Sequence, residues 1–519
     1  MKRTGRYLRA LAALLAAVLL TAAIPAVKTE AAALVTVTSA VIAGGEVVVQ
    51  TSGQTTSDDG ILHLYAQQPY EAGAQGIEVA QAAAGVNAAF RFPLNKNTPA
   101  SNLYKKFTVV AIRGGVPTPV SNAMYIMNPE ACAPRFAARR DGSKKGLLPE
   151  QGASNPSLLT NMGVHQIIWN LPVGNLCSGG GINYNYNGKV YSFNSAIVGQ
   201  YDNLVPKMNA AGIQVTLVVL NNLTGDQTLI HPLSRGHGGA NYYMFNAADP
   251  AGVERLAAVA SFLGQRYSGA VGTVDNWIFG NEVNARQEWN YMSAGAGLVG
   301  FTAEYAKAFR VFYNGIKSEN GNARVYTCID QEWAVGDSAA HYGGMPFLVQ
   351  FNAEIATTGN IDWHVACHPY NVPLYDPIAG RPGALHPHSQ AARYITMENI
   401  DVLTDFLCTP AMISPTGQVR SVLCSEVGYT SSQGEQLQAA SIVYGYQQAV
   451  HNQHIDGFIL SREHDMAAEI GQGLAFGLTG LNGAPKLAYT WYASAESANT
   501  IAAASAVLGA NIGSLITVR

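Results

Sequence analysis

Charge is scarce in this sequence. Only 13% of its 519 residues are charged, and 31 Lys+Arg against 34 Asp+Glu leave a net charge of -3. No long run of one sign occurs, which argues against nucleic acid or an anionic membrane surface as a partner. The six cysteines, at 132, 177, 328, 367, 408 and 424, contain no C-x-x-C pair, so a structural zinc site or thioredoxin-like chemistry has no support. A G-x-S-x-G elbow is missing, against a serine esterase. Cys177-Ser178-Gly179-Gly180-Gly181 lacks the Lys-Ser/Thr of a phosphate loop and reads as a mobile cleft wall.

Long apolar runs are also rare beyond the start of the chain. Lys2, Arg3, Arg6 and Arg9 precede an apolar run from Leu11 to Ile24, and Ala31-Ala32-Ala33 offers a small-residue cleavage site. This is the pattern of an export signal over 1–33, and the run is short for a bilayer span. The expectation is a bacterial protein secreted or held at the cell surface, with no other membrane contact. Export permits disulfides, but Cys328, Cys367 and Cys424 sit in apolar strands, where thiols act as small hydrophobes. Mostly free, buried thiols are expected.

What is present divides by period. From 34 to 130 short alternating runs such as Leu34-Val35-Thr36-Val37-Thr38 and Phe107-Thr108-Val109-Val110-Ala111-Ile112 predict a small antiparallel β-sandwich. From 131 to 495, after a basic stretch at Pro134–Lys145, eight apolar strands alternate with helical segments. A faint first strand lies at Gly146-Leu147-Leu148, a clear one at Ile213–Leu220, and the last at Gly457–Leu460. This α/β pattern predicts a (β/α)8 TIM barrel, and residues 496–519 read as a C-terminal tail. An open doubly wound sheet is the alternative, but the Gly-rich nucleotide turn it usually carries is not found.

A barrel of this kind builds its site at the C-terminal ends of its strands. Those ends read Trp169-Asn170, Asn221-Asn222, Asn281-Glu282, Asp330-Gln331-Glu332-Trp333, His368-Pro369-Tyr370, Ser425-Glu426 and Ser461-Arg462-Glu463-His464-Asp465. Amides, carboxylates and aromatic rings on one rim suit a sugar cleft. Glu282 and Glu426 stand out because each follows an apolar strand, on strands four and seven, which face each other across the axis. A nucleophile and an acid/base ~5–5.5 Å apart are what glycosidic cleavage with retention requires. Glu282 must then hold a proton near neutrality, and Glu426 must stay ionised through donated hydrogen bonds.

Asn281-Glu282, His368-Pro369-Tyr370 and Ser425-Glu426-Val427-Gly428-Tyr429, in this order on these strands, resemble the clan of retaining glycosidases with (β/α)8 barrels. The whole chain also resembles a bacterial family of unknown function that joins a small β-sandwich to such a barrel. Leu62-His63-Leu64-Tyr65, Tyr125–Glu130 and Gly473–Leu478 carry that second likeness. The clan resemblance implies that Glu282 is the acid/base and Glu426 the nucleophile. It implies further that Asn281 binds the sugar 2-hydroxyl, that Tyr370 donates to Glu426, and that His368 places the acid/base or contacts substrate. The sequence departs from the clan in two places. Val283 stands where proline is common, and Ser461-Arg462 stands where a tryptophan platform is common. Arg462 either binds an acidic or hydroxyl-rich sugar or pairs with Asp465 or Glu469.

Other features carry less. His364 and His368 would lie ~13 Å apart along a strand, too far to share a metal. His386-Pro387-His388, with Arg381 and Pro382, reads as loop or substrate rim. Glu332 is the rival carboxylate, and Trp169, Trp289 and Trp333 are candidate sugar platforms. The expectation is a hydrolase of β-linked oligo- or polysaccharide that needs no metal or organic cofactor, with Trp169, Asn170, Asn221, Trp333, Arg462 and Asp465 contacting substrate. The alternative is a non-catalytic glycan-binding protein on a degenerate barrel.

Overall fold

The structure is a computed structural model that describes residues 35–140, 142–378 and 387–519. The expected export signal, and Arg381, Pro382 and His386 of the rim loop, lie outside the described residues. No described helix is long and apolar enough to cross a membrane.

The N-terminal unit is antiparallel. Strands β1 (Val35–Ala43), β2 (Glu46–Gly53) and β5 (Ala89–Pro93) form one sheet. Strands β3 (Ile61–Gln67), β4 (Ile77–Ala83), β6 (Lys106–Arg113), β7 (Val116–Pro119) and β8 (Met124–Tyr125) form the other. Alternation puts Val35 and Val37 of β1, and Phe90 and Phe92 of β5, into the core while their neighbours meet solvent.

The barrel strands read differently because both faces are covered. Strands β9 (Lys145–Leu147), β10 (Gln166–Pro172), β13 (Gln214–Leu220), β14 (Asn276–Phe279), β15 (Arg324–Ile329), β16 (His364–Cys367), β17 (Val422–Val427) and β18 (Ile455–Leu460) pair in parallel and close on themselves. A hairpin, β11 (Gly181–Tyr186) and β12 (Lys189–Asn194), follows β10. Every residue of β13, β14 and β16 is buried. Ile168, Val218, Ile278, Tyr326, Ala366, Leu423 and Ile459 fill the barrel axis as a cluster of their own. Their partners one residue away pack outward on the helices, as Leu217 and Phe279 do.

The basic stretch before β9 closes the bottom. Arg139 donates to the carbonyl of Asp275 and to Asn276 Oδ1, both at 2.8 Å, and Lys144 donates to the carbonyls of Ala449 and Asn452. The expected tail is not a loose end. It forms helices Ala498–Leu508 and Ile512–Leu515, and the first of them packs on helix Glu435–Val450. The sandwich docks on the outer helices, through Lys96–Glu319 at 3.0 Å and Asn314 Nδ2 to the Leu103 carbonyl at 2.8 Å.

Candidate active site

Two local irregularities aim the two carboxylates. After β14 the chain turns through Gly280 (φ +89°), and Glu282 itself sits at φ +37°. That is left-handed space, which costs a non-glycine residue energy and occurs where the surroundings fix it. The amide of Val283 is held by the Cys328 carbonyl at 2.8 Å. On β17, Cys424 pairs with Phe458 and Val427 with Leu460, so three steps on one strand match two on the other. The extra residue is a bulge that resets the alternation. Leu423 faces the axis and Val427 faces the helices, which leaves Glu426 on the axial side at the mouth.

One imidazole then links the two carboxylates. His368 extends the inward row of β16 beyond Ala366 and is only 2% exposed. Its Nδ1 lies 2.7 Å from Glu282 Oε1 and its Nε2 lies 3.8 Å from Glu426 Oε1. Only a five-membered ring separates these contacts, so the nearest oxygens lie within about 9 Å, a range that covers both retaining and inverting pairs. Tyr370 donates to Glu426 Oε2 at 3.1 Å. The glutamate side chains are 15% and 28% exposed, so the pair opens to solvent while its support is buried.

The electrostatics follow from this packing. Burial by itself lowers the basicity of His368. The Cys328 sulfur at 3.4 Å from Nε2, the Glu426 charge and the hydrogen bond to Glu282 oppose it and hold the imidazole well above its ordinary pKa. Burial and the Glu426 charge push the Tyr370 hydroxyl well above its usual range, so it keeps the proton it donates.

Residues 137–514 match a family described as a family of unknown function, DUF5722. The chain belongs to this family. No curated protein sequence matches it. Among solved structures it is similar to a family 39 glycoside hydrolase from Bacteroides cellulosilyticus WH2, at 15% identity over 88% of this chain and 80% of that one, with a TM-score of 0.46. It is also similar to the exo-β-1,4-mannosidase Op5Man5 from Opitutaceae bacterium strain TAV5, at 16% identity over 71% and 60% of the two chains, with a TM-score of 0.42. A third is GH5_18 from Streptomyces cattleya in complex with GlcNAc, at 13% identity over 70% and 80%, with a TM-score of 0.44. What the DUF5722 site can do follows from its own geometry.

Not every expected contact reaches the mouth. Asn281 is 8% exposed and its side chain has no hydrogen-bond partner among the described residues, so its amide is free beside Glu282. Asn170 continues the inward row of Ile168 and is exposed at the rim. Trp169 has the opposite parity and packs outward against the helix-side core. Trp333 is 1% exposed and lies edge-on to Phe406, so it offers no face to a sugar. The Asn221 amide donates to the carbonyls of Leu229 and Met244 and braces a loop instead. Asp465 is bound by Lys486 Nζ at 2.8 Å and by the Gly477 amide. Arg462 pairs with Glu469 and not with Asp465. His388, from the expected rim loop, contacts Asp401 at 2.8 Å.

Three residues near the mouth, Asp330, His341 and Tyr242, were not singled out from sequence. Asp330 follows the inward row of β15, accepts from Asn284 Nδ2 at 2.6 Å, and is pushed well up by burial and by the charge of Glu282. Glu332 is also pushed up, first by burial. With His341 these two carboxyls bring ligand atoms within 4.8 Å of one another, the group best able to hold a metal among the described residues. No Lys or Arg pairs with either acid among those residues, and His341 Nδ1 lies 3.9 Å from Glu332 Oε2. Finally, Tyr242, on the loop after β13, packs against the axial cluster at the mouth. A tyrosine in a long loop carries no sequence signal of where its ring lies.

Proposed function

We propose that this protein hydrolyses a β-linked glycan with retention, Glu282 acting as acid/base and Glu426 as nucleophile. The observation that carries the pairing of the two carboxylates is the single imidazole of His368 in contact with both at the barrel mouth, 2.7 Å from one and 3.8 Å from the other, and retention is what the clan resemblance of their motifs implies. Glu426 attacks the anomeric carbon as Glu282 gives its proton to the glycosidic oxygen. The carbon–oxygen bond breaks, and the leaving sugar departs as an alcohol. Glu282, now a carboxylate, takes a proton from water, whose oxygen displaces Glu426 from the anomeric carbon. Tyr370 aims Glu426 through the hydrogen bond it donates, and Asn281, next to Glu282 in the chain, binds a sugar hydroxyl.

The chain lacking residues 1–33 should release oligosaccharides or a monosaccharide from at least one member of a panel of plant, algal and microbial polysaccharides, with products read by mass spectrometry. Glu426→Gln should abolish release, and azide should rescue Glu426→Gly as a glycosyl azide of inverted configuration. Near-normal turnover by either Glu282→Gln or Glu426→Gln would rule the two-carboxylate assignment out.

A further inference from the structure

The departure at β18 leaves the proposed site without the tryptophan its motifs lead one to expect, and Arg462 there is engaged by Glu469. A pyranose has an apolar C–H face, and a cleft that binds one needs an aromatic surface near the reacting carbon. The opposite side of the mouth supplies one. The half-buried ring of Tyr242 packs on the axial cluster, and the amide of the next residue, Tyr243, donates to the Asn221 carbonyl just past β13 at 2.9 Å. The half-buried indole of Trp289 lies 5.9 Å from the Tyr242 ring at 33°.

These rings sit on two loops that are locked together. The Asn241 amide donates to the Glu288 carbonyl at 2.8 Å, the Tyr291 amide to the Tyr242 carbonyl at 2.9 Å, and the Met244 amide to the Tyr291 carbonyl at 3.0 Å. The Asn221 amide ties the first loop to its own base through Leu229 and Met244. A wall fixed in this way loses little freedom when it binds, which favours affinity.

Resting on the glycosidase reading, we propose that Tyr242 and Trp289 together form the aromatic wall on which neighbouring sugar rings of the substrate stack. The substrate class this selects is a glycan with at least two adjoining pyranoses, each presenting a C–H face to the same wall.

Affinity electrophoresis tests this without needing turnover. In the Glu426→Gln background the chain is run through native gels containing β-1,4-xylan, hydroxyethyl cellulose, β-1,4-mannan or β-1,3-glucan. Retardation is expected in at least one gel. Tyr242→Ala and Trp289→Ala should each weaken it about tenfold or more, while Tyr242→Phe and Trp289→Phe keep it within about threefold, since a ring face and not a polar tip is needed. The Phe variants also control for folding. Retardation of both Ala variants equal to the parent, or no retardation of the parent in any gel, overturns the wall. Loss of binding in the Ala variants together with full activity of Glu282→Gln or Glu426→Gln would instead leave the wall standing and remove the catalytic assignment.

Discussion

At the scale of single residues the site turns on His368. Its imidazole is buried between two carboxylates, and its pKa is raised above the value of about 6.5 it has in the unfolded chain. A raised value means that the folded state binds the proton more tightly. The stabilisation is complete below about pH 6.5 and is lost as pH climbs through the folded-state pKa. His368→Gln should therefore lower the melting temperature more at pH 6 than at pH 9, by a difference of about 1–3 °C for a chain of this size. Equal losses at the two pH values would mean the ring is neutral in the fold. Glu282 pays for its place differently, with a left-handed backbone at φ +37°. Strain of this kind gathers at functional positions, where neighbouring bonds hold the residue.

At the scale of elements, the eight barrel strands were legible because each is an apolar run bounded by turns, and both key glutamates end such a run. Which side chain at a strand end faces the axis was much less legible. Strands buried on both faces lose the alternating pattern that would assign parity. Trp169 and Asn170 are adjacent in the sequence, yet one packs outward and the other reaches the rim. Trp333 and Asn221 looked like rim residues for the same reason and are fully covered. Strict alternation on β17 would also have put Ser425 on the axis with Leu423 and turned Glu426 away. The bulge opposite Phe458 and Leu460 reverses that. The swap Ser425→Glu with Glu426→Ser should accordingly be inactive and less stable than wild type by about 2–4 kcal/mol, because position 425 is 0% exposed and would bury an unpaired charge. Denaturant melts and a reducing-sugar assay measure both effects, and an active, stable swap would show that the bulge does not decide the aim.

At the scale of the whole molecule, the sandwich and the barrel share buried polar contacts. Glu319, with a side chain 3% exposed, has Lys96 of the sandwich 3.0 Å away, and the guanidinium of Arg310 lies 5.2 Å from the centre of the Tyr125 ring. Removing one partner of a buried pair leaves the other charge uncompensated, at a cost of about 3–5 kcal/mol. Lys96→Met should cost that much, Lys96→Met with Glu319→Gln should recover most of it, and a single calorimetric transition should cover both units. Separate transitions for sandwich and barrel would show that the shared contacts do not couple them.

In the proposed reaction Glu426 bonds to the sugar while Glu282 moves the proton. The most direct measurement is peptide mass spectrometry after incubation with 2-deoxy-2-fluoro β-glycosides of glucose, xylose, galactose and mannose bearing a reactive leaving group. One of these should add a single fluorosugar to the peptide containing Glu426. A label on Glu282 or Glu332, or release of a product with inverted anomeric configuration, would rule out Glu426 as the nucleophile.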